Sequence, residues 1–378
     1  MKTFVTIFPY LRNEHLIKDV GQIPHFLSEN YNTKLVAYDL NQSFTHTSQE
    51  AKNLPIELVK PNSAKKVKES AMANYIRENA SKIDVLNLYH LTIETFIFII
   101  IYKKNNPQGK VYIKADVYND NLINTKYSHN FIKNIYYRNI ERQAMKIIDI
   151  VTVENKKAIA LFKKRYPEYT GKLFYLPNGV NDVFIENNLH ILPFENKQNR
   201  ILVSGRIGAP EKNHEIILQV LPKLNLKEWE IVFAGPVQPS FQQKVEIFYD
   251  ENPQLREKVI FTGEIIDRLQ LYDLYNKSKV LCLTSEKESF GLAFTEALYF
   301  GNYLIGTEGM FAFDDITDNG KYGTKLPFNN QQALQNTLQQ IIDGKITLQD
   351  KCASAKKYAV QNFTWSKITR NLSQLLNE

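Results

Sequence analysis

Two acids, Glu288 and Glu296, stand seven residues apart around Phe290-Gly291-Leu292. Glu288 lies in a polar loop, 284–289, that follows the apolar run 280–283, which reads as a buried strand of a parallel sheet. From Phe290 an apolar-periodic run extends to Phe300 and stops at Gly301-Asn302, which predicts a helix with Glu296 in its second turn. Both carboxylates then sit beyond the carboxyl end of a strand, where open α/β sheets bind ligands. Carboxylates accept hydrogen bonds from sugar and ribose hydroxyls. The backbone N–H groups of 290–293, at the helix start, suit a phosphate. Phosphate donors flanked by hydroxyl acceptors describe a nucleotide-sugar site. An isolated pair of Glu residues is more simply a loop acid and a solvated helix acid, so the rest of the chain must decide.

A second constellation points the same way. The strand-like run 200–204 leads directly into Gly205-Arg206, and Glu211-Lys212-Asn213 precedes the apolar residues 216–218. Glycine allows a tight turn of the backbone. Arginine offers a planar fork for phosphate oxygens and lysine a movable point charge. A strand, then Gly-Arg, then Lys at the mouth of a helix is a means of neutralising a diphosphate.

These residues need a scaffold. A chain of 378 residues is longer than one core usually serves, so two domains are expected. In the first half, strand-like runs at 2–8, 33–38, 85–89, 110–113 and 147–153 alternate with helical stretches at 65–80 and 92–104, the pattern of a doubly wound α/β domain. His90 and Asp116 fall just past two of these strand ends. In the second half, 200–204, 230–234 and 259–262 read as further strands, and 269–276 as a short helix before the acid pair.

The stretch ESFGLAFTEAL at 288–298 resembles the Glu-seven-residues-Glu signature of retaining glycosyltransferases of family four, and Gly205-Arg206…Glu211-Lys212-Asn213 is similar to that family's phosphate motif. Pro177-Asn178-Gly179-Val180 resembles its junction between domains, with Asn181 where an Asp is usual. Phe363-Thr364-Trp365-Ser366 resembles its closing segment, whose helix returns to the first domain. The resemblance implies a GT-B fold: two Rossmann-like doubly wound domains facing a central cleft, at 1–180 with 363–378, and at 181–362. It implies Arg206 and Lys212 on the leaving diphosphate, Glu288 on the transferred sugar, Glu296 on the ribose, and Gly205 and the amides of Phe290, Gly291 and Leu292 on the diphosphate. It places the nucleobase near Ile265. It gives Gly21 a weaker place near the donor, with relief of a turn as the plain alternative. A sugar-contacting His expected in the first domain has two candidates, His90 and Asp116.

The formal charge of +7 is uneven: residues 1–180 carry 26 Lys+Arg against 16 Asp+Glu, about +10, and the remainder about −3. The basic, aromatic segment 121–145 could face an anionic membrane, or be a solvated face over an aromatic core. No nucleic-acid-binding pattern accompanies the charge. There is no Gly-x-Gly-x-x-Gly after the first strand, no P-loop and no Asp-x-Asp. The two cysteines, Cys282 and Cys352, form no disulfide framework and no metal spacing. No signal-peptide pattern opens the sequence, and the apolar run 96–102 is too short to span a bilayer. The expectation is therefore a cytoplasmic, metal-independent retaining glycosyltransferase, taking a nucleotide-sugar co-substrate (UDP-sugar favoured) and no other cofactor. Its acceptor would be a glycan, a glycolipid or a protein-linked glycan, with peripheral contact to the inner face of the membrane. The rival reading is a non-catalytic GT-B partner of another transferase.

Overall fold

The computed structural model describes residues 1–115 and 127–378; Asp116 and the first part of the basic aromatic segment lie outside the described residues. The chain divides into two compact units, Met1–Asn181 with Trp365–Glu378, and Asp182–Thr364.

The first unit is built on a seven-stranded parallel sheet: β1 (Thr3–Ile7), β2 (Asn32–Tyr38), β3 (Ile56–Val59), β4 (Val85–Tyr89), β5 (Lys110–Ala115), β6 (Ile150–Val153) and β7 (Leu173–Tyr175), in the order β3-β2-β1-β4-β5-β6-β7. All five residues of β4 are buried, as in a strand covered by helices on both faces. The polar Asn87 at its centre is tolerated because it accepts a 2.9 Å hydrogen bond from the Thr6 hydroxyl on β1. Side-chain caps fix the helix starts. Ser70 accepts from the Ala73 amide before Ala71–Asn79, Thr92 from Thr95 before Ile93–Asn105, and Asn155 from Ala158 before Lys156–Arg165.

The closing helix, Trp365–Asn377, belongs to this unit because its apolar face completes a core there. Trp365, Ile368, Leu372 and Leu376 pack with Phe4, Ile23, Leu27 and Tyr31. Trp365 is 1% exposed, and its amide donates to the Val180 carbonyl at 3.0 Å. Truncating such a side chain costs about 3–5 kcal/mol.

The second unit holds a six-stranded parallel sheet: β8 (Gln198–Ser204), β9 (Glu230–Ala234), β10 (Val259–Phe261), β11 (Ser278–Cys282), β12 (Tyr303–Thr307) and β13 (Gly323–Leu326), ordered β10-β9-β8-β11-β12-β13. Counted from β8, this is the 3-2-1-4-5-6 order of a dinucleotide-fold sheet, and the order reverses between β8 and β11. The loops leaving these two neighbouring strands therefore emerge at the topological switch point. One carries Gly205, Arg206 and Lys212, the other Glu288.

Among the strands that the sequence reading did not mark are β3 and β13. Each is four residues long at a sheet edge, with the patterns IELV and GTKL. Neither is a continuous apolar run, because an edge strand is not buried on all sides. Among the described residues no helix is long and apolar enough to cross a membrane.

Candidate active site

The loop after β8 is shaped by glycines whose conformations leave little choice. Gly205 has φ of +135° and Gly208 of +83°, both in the region that favours glycine. Gly205 donates its amide to the Ala234 carbonyl at 3.0 Å, and a Cβ on the neighbouring Gly235 would stand 1.9 Å from the Gly205 carbonyl oxygen. The β8 and β9 loops thus meet backbone to backbone. The Ile207 amide continues this contact to the Pro236 carbonyl at 2.9 Å, and the Gln238 amide returns to Ile207 at 2.8 Å.

Inside the loop, His214 accepts the Gly208 amide on Nδ1 at 3.0 Å. It is 1% exposed, and burial, followed by the charge of Lys212, lowers its pKa to about 4. The ring is therefore neutral and serves as an acceptor that closes the loop. A one-turn helix, Pro210–Lys212, ends at Asn213 in the left-handed region, with φ of +49°. The Thr284 hydroxyl, beyond β11, lies 3.0 Å from the carbonyls of both Lys212 and Asn213, and the Glu286 amide donates to Glu211 at 2.8 Å. These bonds tie the two loops of the switch point to each other.

Their side chains then meet. Lys212 Nζ lies 2.5 Å from Glu288 Oε2, with both side chains roughly a quarter exposed (22% and 26%). Arg206 pairs with Glu211 and remains 66% exposed at the side chain. Glu288 is itself held from a third loop. Its amide donates to the Gly309 carbonyl at 3.2 Å, and its carbonyl accepts from Phe311 at 3.0 Å. A Cβ at Gly309 would stand 1.8 Å from the Glu286 carbonyl oxygen.

Gly291, with φ of +78°, turns the chain into the helix Leu292–Tyr299. Phe290 is buried, its ring edge-on to Phe363 at 6.4 Å, so its backbone rather than its side chain faces the helix mouth. Glu296 occupies the second turn and is 8% exposed; Arg268 donates to its Oε1. Arg268 also bonds the Tyr272 hydroxyl at 2.8 Å and lies over that ring, 4.5 Å from its centroid. The Tyr275 hydroxyl, 3.1 Å from Ser204 Oγ, is pushed up by burial first and next by the Glu296 charge. Ile265 follows β10 half-buried, beside Ile266, which is exposed.

Sequence-derived residues of the first unit have local settings of their own. His90 follows β4 with φ of +61°; its amide bonds the Lys114 carbonyl at 3.1 Å and its ring stands edge-on to Phe8 at 6.4 Å. Gly21 lies within the helix Asp19–Leu27, where a Cβ would meet the Leu16 carbonyl oxygen at 2.3 Å. That close approach accounts for a glycine there. Sequence reasoning missed Arg268 and His214, and read Gly235 and Gly309 only as turn and loop residues without the close backbone contacts they make. Arg268 stands outside any strand-to-loop motif, and only the fold brings it beside Glu296.

The family model described as glycosyl transferases group 1 matches residues 184–361. A probable sucrose-phosphate synthase of Thermosipho melanesiensis is 27% identical over 222 residues, 56% of this chain and 49% of that protein. A phosphatidyl-myo-inositol mannosyltransferase of Mycobacterium tuberculosis is 19% identical over 206 residues, 53% of this chain and 52% of its own. The chain spans about half the length of the curated relatives it matches. Among solved structures, a glycosyltransferase from Rickettsia africae superposes with a TM-score of 0.75 at 17% identity, covering 100% of this chain and 98% of that one. Anabaena Alr3699/HepE in complex with UDP and glucose gives 0.72 at 14% identity, with 100% of both chains covered. The fold is GT-B.

Proposed function

We propose that this chain, a member through residues 184–361 of the group 1 glycosyl transferases, moves a sugar from a nucleotide-sugar donor to an acceptor hydroxyl with its anomeric configuration kept. The observation that carries the reading is the Lys212–Glu288 pair, which joins a diphosphate-type cation to a sugar-type acceptor at the switch point of the second sheet.

The chemical step breaks the bond between the sugar's anomeric carbon and the diphosphate, whose oxygen keeps the electron pair. Arg206, Lys212 and the amides of Phe290, Gly291 and Leu292 stabilise charge as it builds on that oxygen. Glu288 accepts hydroxyls of the transferred sugar and Glu296 those of the ribose. The acceptor oxygen bonds to the anomeric carbon on the face the diphosphate leaves, and its proton passes to the departing phosphate oxygen. With two side-chain cations serving the leaving group, no metal ion is required for this step. From the first unit, the reading assigns His90 or Asp116 to the transferred sugar.

UDP is the favoured nucleotide, supported by the UDP complex of HepE, and Ile265 lies on the loop assigned to the base. A lipid-linked or glycan acceptor is supported by the phosphatidylinositol acceptor in the mannosyltransferase's name. Contact with an anionic membrane, at its cytoplasmic face, rests on the helix Phe131–Ile147. Phe131, Ile132, Ile135 and Tyr136 are exposed in its first two turns, with Lys133 and Arg142 exposed on the same helix.

The test is a panel of UDP-, GDP- and ADP-sugars incubated with the protein in EDTA without acceptor, followed by release of nucleoside diphosphate. Slow cleavage of one donor supports the reading. No cleavage and no donor-induced rise in melting temperature contradict it.

A further inference from the structure

Arg268 is a buried charge in the second unit's site that the assigned chemistry does not use. It is the first residue of the helix Arg268–Lys277, and it is 9% exposed. Both facts run against its charge. A cation at a helix N-terminus faces the positive end of the helix dipole, and a buried charge is retained only when paired and hydrogen-bonded. The pairing here is with Glu296, 28 positions downstream and on another helix. The guanidinium is also fixed from its other side, by the Tyr272 hydroxyl at 2.8 Å and by the Tyr272 ring beneath it. A planar fork held in this way fixes the direction of the carboxylate it meets.

We propose that Arg268 is a positioning residue for the donor's ribose: it holds the Glu296 carboxylate in the orientation in which that carboxylate accepts the 2′- and 3′-hydroxyls. The proposal rests on the donor-site reading above. A carboxylate has about four lone-pair sites, so it can accept from the guanidinium and from the Tyr275 hydroxyl and still from a hydroxyl donor. On this proposal Arg268 acts on the nucleotide through Glu296, so its removal should reduce what the ribose hydroxyls contribute.

The experiment measures binding of UDP, GDP and ADP by calorimetry, each beside its 2′,3′-dideoxy counterpart, and continues with the nucleotide bound best. Wild type is expected to prefer the hydroxylated form by roughly ten- to a hundred-fold, the range for hydrogen bonds to a charged group. Glu296→Gln and Arg268→Gln should both lose most of that preference while still binding the dideoxy form as wild type does. A residue that merely supported the fold would weaken both forms alike. Arg268→Lys, which keeps the charge without the fork, should fall between wild type and Arg268→Gln, and it carries the test if the Gln variant does not fold.

The proposal is overturned if Arg268→Gln, or in its absence Arg268→Lys, keeps the full wild-type preference while Glu296→Gln loses it. Wild type binding a nucleotide without regard to its ribose hydroxyls would overturn the ribose role of Glu296 along with it. Wild type binding no nucleoside diphosphate at all would overturn the donor-site reading itself.

Discussion

Lys212 Nζ and Glu288 Oε2 lie 2.5 Å apart although 76 positions separate them in the chain. The pair joins the loop after β8 to the loop after β11, and the Thr284 hydroxyl and the Glu286 amide bond carbonyls of the first loop beside it. Partly solvated ion pairs contribute about 0–1 kcal/mol to stability. Glu288→Gln is therefore expected to leave the melting temperature within about 2 °C of wild type, while donor cleavage falls at least about ten-fold. Melting curves and initial rates on one preparation check this. A large loss of stability with unchanged rate would make the pair a structural one.

His214 makes stability depend on pH. Its pKa is about 4 in the folded chain, against 6.5 for a free histidine, because burial disfavours the charged ring. The unfolded chain takes up a proton that the folded chain refuses. The stabilisation is thus complete above about pH 6.5 and is lost as pH falls toward 4, up to about 3 kcal/mol. Urea unfolding at pH 7.5 and 4.5 should show a larger drop for wild type than for His214→Leu. At pH 7.5 the variant should itself be about 1–3 kcal/mol less stable, since the Gly208 amide loses its acceptor.

Two glycines set how closely the loops approach. Gly309→Ala would drive a methyl group into the Glu286 carbonyl, and Gly235→Ala into that of Gly205. Each is expected to cost about 1–3 kcal/mol as overpacking and to reduce donor cleavage by displacing Glu288 or Arg206. Gly344→Ala is a control for strain alone: like Gly235 it has a positive φ (+71°), but its Cβ would meet nothing within 4 Å, so it should lose stability without losing rate.

Membrane contact has its own readout. Phe131 and Ile132 are 77% and 76% exposed, so Phe131→Asp with Ile132→Asp should leave melting and donor cleavage unchanged. Sedimentation with vesicles containing a third phosphatidylserine is expected to fall several-fold in the double variant. Equal sedimentation would remove this helix from the membrane reading.

The sequence shows the second unit more plainly than the first. Runs such as RILVS and EIVFA are buried on both faces of a parallel sheet, so composition alone marks them as strands. The glycines and charges that follow them occupy strand ends, where the fold places ligands. Edge strands β3 and β13 lack that apolar continuity. Arg268 was invisible for a different reason: nothing in its neighbours distinguishes it from a solvated helix cation, and only the packing of two helices carries it to Glu296. Gly235 was legible as a turn, but its contact with Gly205 depends on the pairing of β8 with β9. His214 reads as one polar residue before an apolar run until the fold buries it against the Gly208 amide.

The most direct measurement is the rate of donor cleavage by wild type and Lys212→Ala in EDTA, at saturating concentration of the donor that wild type turns over. If Lys212 stabilises the leaving diphosphate, the variant's kcat should fall roughly 10²–10³-fold, the scale for losing one preorganised electrostatic contact, with its fold intact by melting. A Lys212→Ala variant that keeps the wild-type kcat would contradict that role.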